Sequence, residues 1–143
     1  MVAASACMMT IWDVVMDPAN STINGLWKWH DGGSYLGVPP SNFLGWFLEM
    51  FIAFGLVAAF LRRREAEFDY SRYDRAFWLV PVLLYLASGL CQIPASIASH
   101  GGLVADGSGH LWSTAVVYRI TVLVMLCTMA PLSLLAIRRL FTN

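Results

Sequence analysis

Three apolar runs restrict this chain to one kind of environment. Residues 42 to 61, 76 to 98 and 111 to 137 each supply about the 20 mostly apolar residues that carry a helix across the hydrocarbon core of a bilayer. A fourth run, Met1 to Met16 (MVAASACMMTIWDVVM), is as apolar but shorter, and reads as a short first span. Backbone polar groups in lipid must be satisfied within their own segment, so the expected fold is all-α: a polytopic membrane helix bundle with about four transmembrane helices. The whole chain, residues 1 to 143, then forms a single integral membrane domain.

Composition agrees. The chain is 58% hydrophobic with nine Lys+Arg and nine Asp+Glu, below the charged fraction of roughly a quarter found in soluble domains. Formal charge is zero and no basic block is interleaved with aromatics, which argues against a nucleic-acid partner and leaves membrane lipid as the surrounding medium. Cys7, Cys91 and Cys127 are far apart in apolar stretches and read as packing residues. His30, His100 and His110 lack metal-ligand spacing, so no metal is expected. A secretory signal is not expected either, because Met1 to Met16 has no basic flank and ends at Asp17-Pro18.

Basic residues orient the spans. Arg62, Arg63, Arg64, Arg72 and Arg75 fall between spans two and three, and Arg138 and Arg139 follow span four, whereas residues 17 to 40 and 99 to 110 hold one basic residue, Lys28. The arginine-bearing regions are therefore expected on the cytoplasmic side of the cell membrane, with both termini cytoplasmic. Trp27, Trp29, Tyr35 and Trp46 then lie near the outer headgroups, where amphipathic rings are favoured. Pro81, Pro94 and Pro131 interrupt the spans, and Ala87, Cys91 and Ala95 form a small-residue stripe at which helices are expected to meet.

Ionisable groups inside the spans are costly and point to pairing or function. Glu49 and Arg119 each lie about eight residues, or roughly 12 Å, in from the outer ends of their spans. They are expected to meet, either as an ion pair between spans two and four or as a polar site, with Tyr118 and Gln92 nearby. Asp13 and Asp17 are four apart and share a helix face. Asp17 before Pro18 also suits a turn at a helix end. For Asp13, an apolar setting beside a second carboxylate favours the neutral acid, which can donate a proton. Asn20-Ser21-Thr22 matches a glycosylation acceptor in the outer connection.

The segments "TIWDVVMDP" (Thr10 to Pro18), "GLWKW" (Gly25 to Trp29) and "YLGVPPSNFLGWFL" (Tyr35 to Leu48), in this order and spacing, resemble the carotenoid biosynthesis membrane-protein family, whose characterised members include bisanhydrobacterioruberin and gamma-carotene hydratases. Members are usually longer, with further membrane helices ahead of the first segment. The resemblance therefore implies that this chain corresponds to the C-terminal part of such a protein.

What the resemblance implies is addition of water to the terminal C=C of an acyclic polyene by acid catalysis, a lyase (hydratase) activity with no organic cofactor. Asp13 would then donate the proton and Asp17 accept one from water, with Glu49 and Arg119 as further candidate catalytic groups. Trp12, Trp27, Trp29, Tyr35 and Trp46 would border the carotenoid, and Asn42 would position the water or hold the helix turn. Gly32, Gly33, Gly37 and Pro39-Pro40 would shape a rigid lid, with Ser41 or Asn42 capping span two, the alternative being only a tight surface loop that folds back on the headgroups. The alternative is a non-catalytic integral subunit that binds carotenoid or lipid beside other membrane protein chains in a larger membrane complex, a photosynthetic one for example.

Overall fold

A computed structural model describes residues 1–64 and 73–142. Helix α1 (Val2–Asp17) passes into a π-helical turn (Pro18–Ile23), and a loop leads to α2 (Pro40–Arg63). Helices α3 (Arg75–Leu90) and α4 (Gln92–Ala98) follow, then strands β1 (Leu103–Ala105) and β2 (Leu111–Ser113), and finally α5 (Thr114–Cys127) and α6 (Met129–Thr142). The mostly all-α expectation holds. Among the described residues three helical stretches are long and apolar enough to cross a membrane, Pro40–Arg63, Arg75–Ala98 and Thr114–Thr142. The fourth expected span, α1, has 16 residues.

Prolines set the breaks. A proline has no N–H to give to the carbonyl four residues back, and Pro94 and Pro131 stand four residues after Leu90 and Cys127, the last residues of α3 and α5. At the second break the Thr128 N–H turns to Met125 O (3.3 Å), and its hydroxyl takes Val124 O instead (2.6 Å). At Pro18 the chain does not turn away, as an Asp-Pro helix end would suggest. It widens into the π-helical turn, and Ser21 Oγ donates to Asp17 O at 2.8 Å. Residues 17 to 23 therefore remain helical, and the Asn20-Ser21-Thr22 sequence lies in a helix with Ser21 and Thr22 buried rather than in an open acceptor loop.

Helix α1 is central, packing on α2, α3, α5 and α6, while α2 packs chiefly on α1 and has no buried residue. Val15, Met125 and Met129 form the core, flanked by Trp12, Tyr85 and Ile93. Gly89 lets α5 and α6 approach α3, because a Cβ there would stand 2.6 Å from Met125 Cγ and 3.1 Å from Met129 Sδ. The expected stripe of Ala87, Cys91 and Ala95 is not this contact: Ala87 and Cys91 are exposed. All three cysteines are free and exposed, not packed.

The two arginine-free connections meet at one end. The 35–38 turn closes with paired Tyr35 and Val38 backbone bonds (3.2 and 2.9 Å), with Leu36 (φ 53) and Gly37 (φ 88) at positive φ, the pattern of a type I′ turn. Thr22 Oγ1 donates to Leu36 O at 2.8 Å and ties that turn to the π-helical turn. A Cβ on Gly107 would fall 1.8 Å from Trp29 O, so the β1–β2 turn lies directly against the 24–39 loop. Leu111–Ser113, expected as the start of span four, is a strand paired with Leu103–Ala105. At the other end Met1 lies near Arg62, and Trp78 near Arg139. Arg72 is outside the described residues.

The β1–β2 turn is built around Asp106, whose Oδ1 accepts from Ser108 N (2.9 Å), Ser108 Oγ (2.6 Å) and His110 N (3.1 Å), and whose Oδ2 accepts from Trp112 Nε1 (2.8 Å). Burial alone would raise this carboxyl, but the donors outweigh it and hold it at about 2 against an ordinary 3.8. A group depressed in the folded state contributes stability above its unfolded value and loses it as pH falls through the folded one. Hydrogen-exchange protection across residues 103 to 113 is therefore expected to be flat with pH above 3.8 and to fall between 3.8 and about 2. Asp106→Asn should remove this pH dependence and lower protection by roughly tenfold already at neutral pH.

Candidate functional site

The last turn of α1 presents two carboxylates on one face. Asp13 and Asp17 are 4% and 1% exposed, and adjacent buried acids require donors. Helix α2 supplies the first. Pro39 and Pro40 start it without any side-chain cap, so neither Ser41 nor Asn42 caps the span; the Asn42 amide is instead free to reach across to α1. Its Nδ2 donates to Asp13 Oδ2 at 2.7 Å and to Asp17 Oδ2 at 2.8 Å.

The 24–39 loop supplies the rest. Trp27 Nε1 donates to Asp17 Oδ1 at 2.9 Å and Trp29 Nε1 to the same atom at 3.4 Å. The pair is thus asymmetric: Asp17 accepts from three side chains, and Asp13 accepts from Asn42 alone among the described residues. Beside them lies a cavity of about 380 Å³, lined by both acids, Asn42 and the rings of Trp12, Trp27, Trp29 and Trp46. Trp12 is held from behind by α3, its Nε1 donating to Ser88 Oγ at 3.1 Å.

Met16 and Asn20 complete the lining. Neither was expected from sequence. Asn20 lies three residues beyond Asp17 and would have been found by carrying the helical face through Pro18.

Three of the residues proposed from sequence lie elsewhere. Tyr35 is not at the cavity: it packs edge-on against Phe43 with ring centroids 5.5 Å apart, its hydroxyl is buried without a partner among the described residues, and burial pushes the phenol up. Glu49 and Arg119 do not meet, and both are exposed. On α5 the buried Val117 and Thr121 flank Arg119 by two residues each, about 200° round the helix, so Arg119 points away from the bundle. Gln92 does not join them, since its Nε2 donates to Met16 Sδ (3.3 Å), and among the described residues no hydrogen bond links Tyr118 to Glu49 or Arg119. Among the described residues no group of three or more His, Cys, Asp or Glu is arranged to hold a metal ion.

A family model described as "Carotenoid biosynthesis protein" matches residues 1–104, which include every residue of this cavity. The chain belongs to the carotenoid biosynthesis protein family. No curated protein and no solved structure matches it.

In this family member the Asn42 bridge joins α1 to α2 and is expected to contribute to stability. Asn42→Ala removes both amide bonds to the acids, and we expect a loss of about 2 to 3 kcal/mol in chemical unfolding of the detergent-solubilised protein. Glu49→Gln and Arg119→Gln are expected to be additive within about 0.5 kcal/mol in the same assay, since separated side chains do not couple.

Proposed function

We propose that the chain hydrates the terminal C=C of an acyclic carotenoid at the Asp13–Asn42–Asp17 cavity. The observation that carries this reading is the asymmetry of the two acids. Negative charge is best accommodated where donors converge, at Asp17, and a transferable proton on the acid with a single donor, at Asp13.

The steps balance. Asp13 gives its proton to the less substituted alkene carbon, and the π electrons form the new C–H bond, leaving a tertiary cation. The ring faces of Trp12, Trp27, Trp29 and Trp46 border the cavity where that cation forms, an attraction of about 0.5 to 2 kcal/mol for a well-placed ring. A water adds through oxygen and releases a proton to Asp17. Return of that proton to Asp13 closes the cycle between two carboxylates that share one amide. Nothing is oxidised or reduced, and no cofactor takes part.

Asn42 holds the acids at a fixed separation, and its own carbonyl and the Asn20 side chain are the polar groups left to orient the water. The apolar remainder of the substrate stays in lipid. The reading places the arginine-bearing end, with both termini, on the cytoplasmic side and the cavity toward the opposite face.

Expression of the chain in a host that accumulates an acyclic carotene should yield a pigment heavier by one water in mass spectrometry. Asp13→Asn should abolish that product while leaving the protein folded and membrane-inserted. Full activity in Asp13→Asn would remove Asp13 from the mechanism, and unmodified carotenoid co-purifying without any hydrated product would favour a pigment-holding subunit.

A further inference from the structure

Two charges of opposite sign stand on the outside of this bundle, within helices long and apolar enough to cross a membrane. Glu49 lies nine residues beyond Pro40, the first residue of α2, and Arg119 five beyond Thr114, the first of α5. Both helices start at the loop-bearing end, so a rise of about 1.5 Å per residue puts the two roughly 13.5 and 7.5 Å below it. Each is exposed, and neither has an ion pair or hydrogen-bond partner for its side chain among the described residues.

Ionisable residues inside spans ordinarily face a bundle interior and pair there, because lipid offers a charge neither water nor a counter-charge. From a shallow position an arginine can carry its head back toward the headgroups on a long stem. Glu49 is deeper and its stem is shorter, so that route is closed to it. A cation brought to its own depth would relieve it.

The surroundings of both charges are open and apolar. On α2, Gly45 and Ile52 lie one turn to either side of Glu49 and are exposed with it. A Cβ on Gly45 would meet nothing within 4 Å, which leaves room for another helix to come close. On α5, Val116 and Leu123 flank Arg119 in the same way and are 46% and 60% exposed. Each charge therefore sits in an apolar stripe at the spacing by which neighbouring helices pack.

The stripes lie on different parts of the molecule, since α2 packs chiefly on α1 whereas α5 packs chiefly on α4 and α6. They do not meet within one copy, but copies inserted in the same orientation bring them together. There α2 of one copy runs parallel to α5 of the next, and the four-residue difference in depth, roughly 6 Å, is spanned by two extended side chains.

We propose that the chain self-associates in the bilayer, the Glu49 stripe of α2 on one copy packing against the Arg119 stripe of α5 on the next. A contact between unlike surfaces repeats from copy to copy, and a closed ring leaves no Glu49 or Arg119 unpaired. The pair forms between copies, so the two side chains stay independent in copies that detergent keeps apart. This contact is separate from the carboxylate cavity and holds whether or not that cavity hydrates anything.

The test places the full chain in phosphatidylcholine vesicles, with donor or acceptor fluorophores on the C-terminus, and follows energy transfer as the protein-to-lipid ratio changes. Wild-type copies should show more transfer than randomly distributed ones. Glu49→Gln alone and Arg119→Gln alone should each weaken association by at least about tenfold, the loss of one charge-assisted hydrogen bond. An equal mixture, with the donor on one variant and the acceptor on the other, should recover transfer, because Glu49 of one still meets Arg119 of the other. Wild-type copies that stay monomeric would overturn the proposal and leave a different membrane protein as the partner of these charges. Variants that associate as well as wild type, or a mixture no better than either variant alone, would overturn it too.

Discussion

One amide holds the loop-bearing end of this molecule together. The Asn42 side chain bonds both Asp13 and Asp17, and in doing so it joins the end of α1 to the start of α2, fixes the distance between two buried acids and forms a wall of the cavity. Two adjacent carboxylates at this depth repel each other and resist dehydration. A shared donor offsets both costs at once, and the indoles of Trp27 and Trp29 add to it on one acid only. The asymmetry on which the proposed chemistry rests is therefore a consequence of how the loop folds back onto α1.

The loop in turn depends on contacts far along the chain. Gly107 allows the β1–β2 turn to sit against Trp29, and Thr22 pins the positive-φ turn at Leu36 and Gly37. Asp106 draws four donors inward and keeps that turn compact. A set of polar knots in the connections thus places apolar rings around a polar pair, while the helices below present apolar faces that suit lipid.

Much of this was legible in the sequence for identifiable reasons. Hydropathy and length located the three long spans, because a lipid environment leaves few alternatives for an apolar run of that size. Spacing of four put Asp13 and Asp17 on one face, and the aromatic residues of the 24–39 loop were correctly associated with that end. What failed was any inference that required knowing which side of a helix meets a neighbour. Glu49 and Arg119 have comparable depths by counting, yet depth says nothing of azimuth, and they point away from the bundle rather than toward each other. Ala87 and Cys91 failed likewise, whereas Gly89, midway between them in sequence, makes the close contact. Strands of three residues fall below any periodicity, so the hairpin was invisible until Asp106 showed what closes it. Pro18 misled in the other direction: a π-helical turn accommodates it, and Asn20 reaches the cavity as a result.

The most direct test of the central claim follows the atoms. The purified chain, reconstituted with an acyclic carotene in H₂¹⁸O under exclusion of oxygen, should yield a tertiary alcohol that carries ¹⁸O, and in deuterated water a product with deuterium on the adjacent carbon. Both labels together are the signature of a proton delivered to carbon followed by capture of water. Failure to form the alcohol under these conditions, or an alcohol without the water-derived oxygen, would contradict the account.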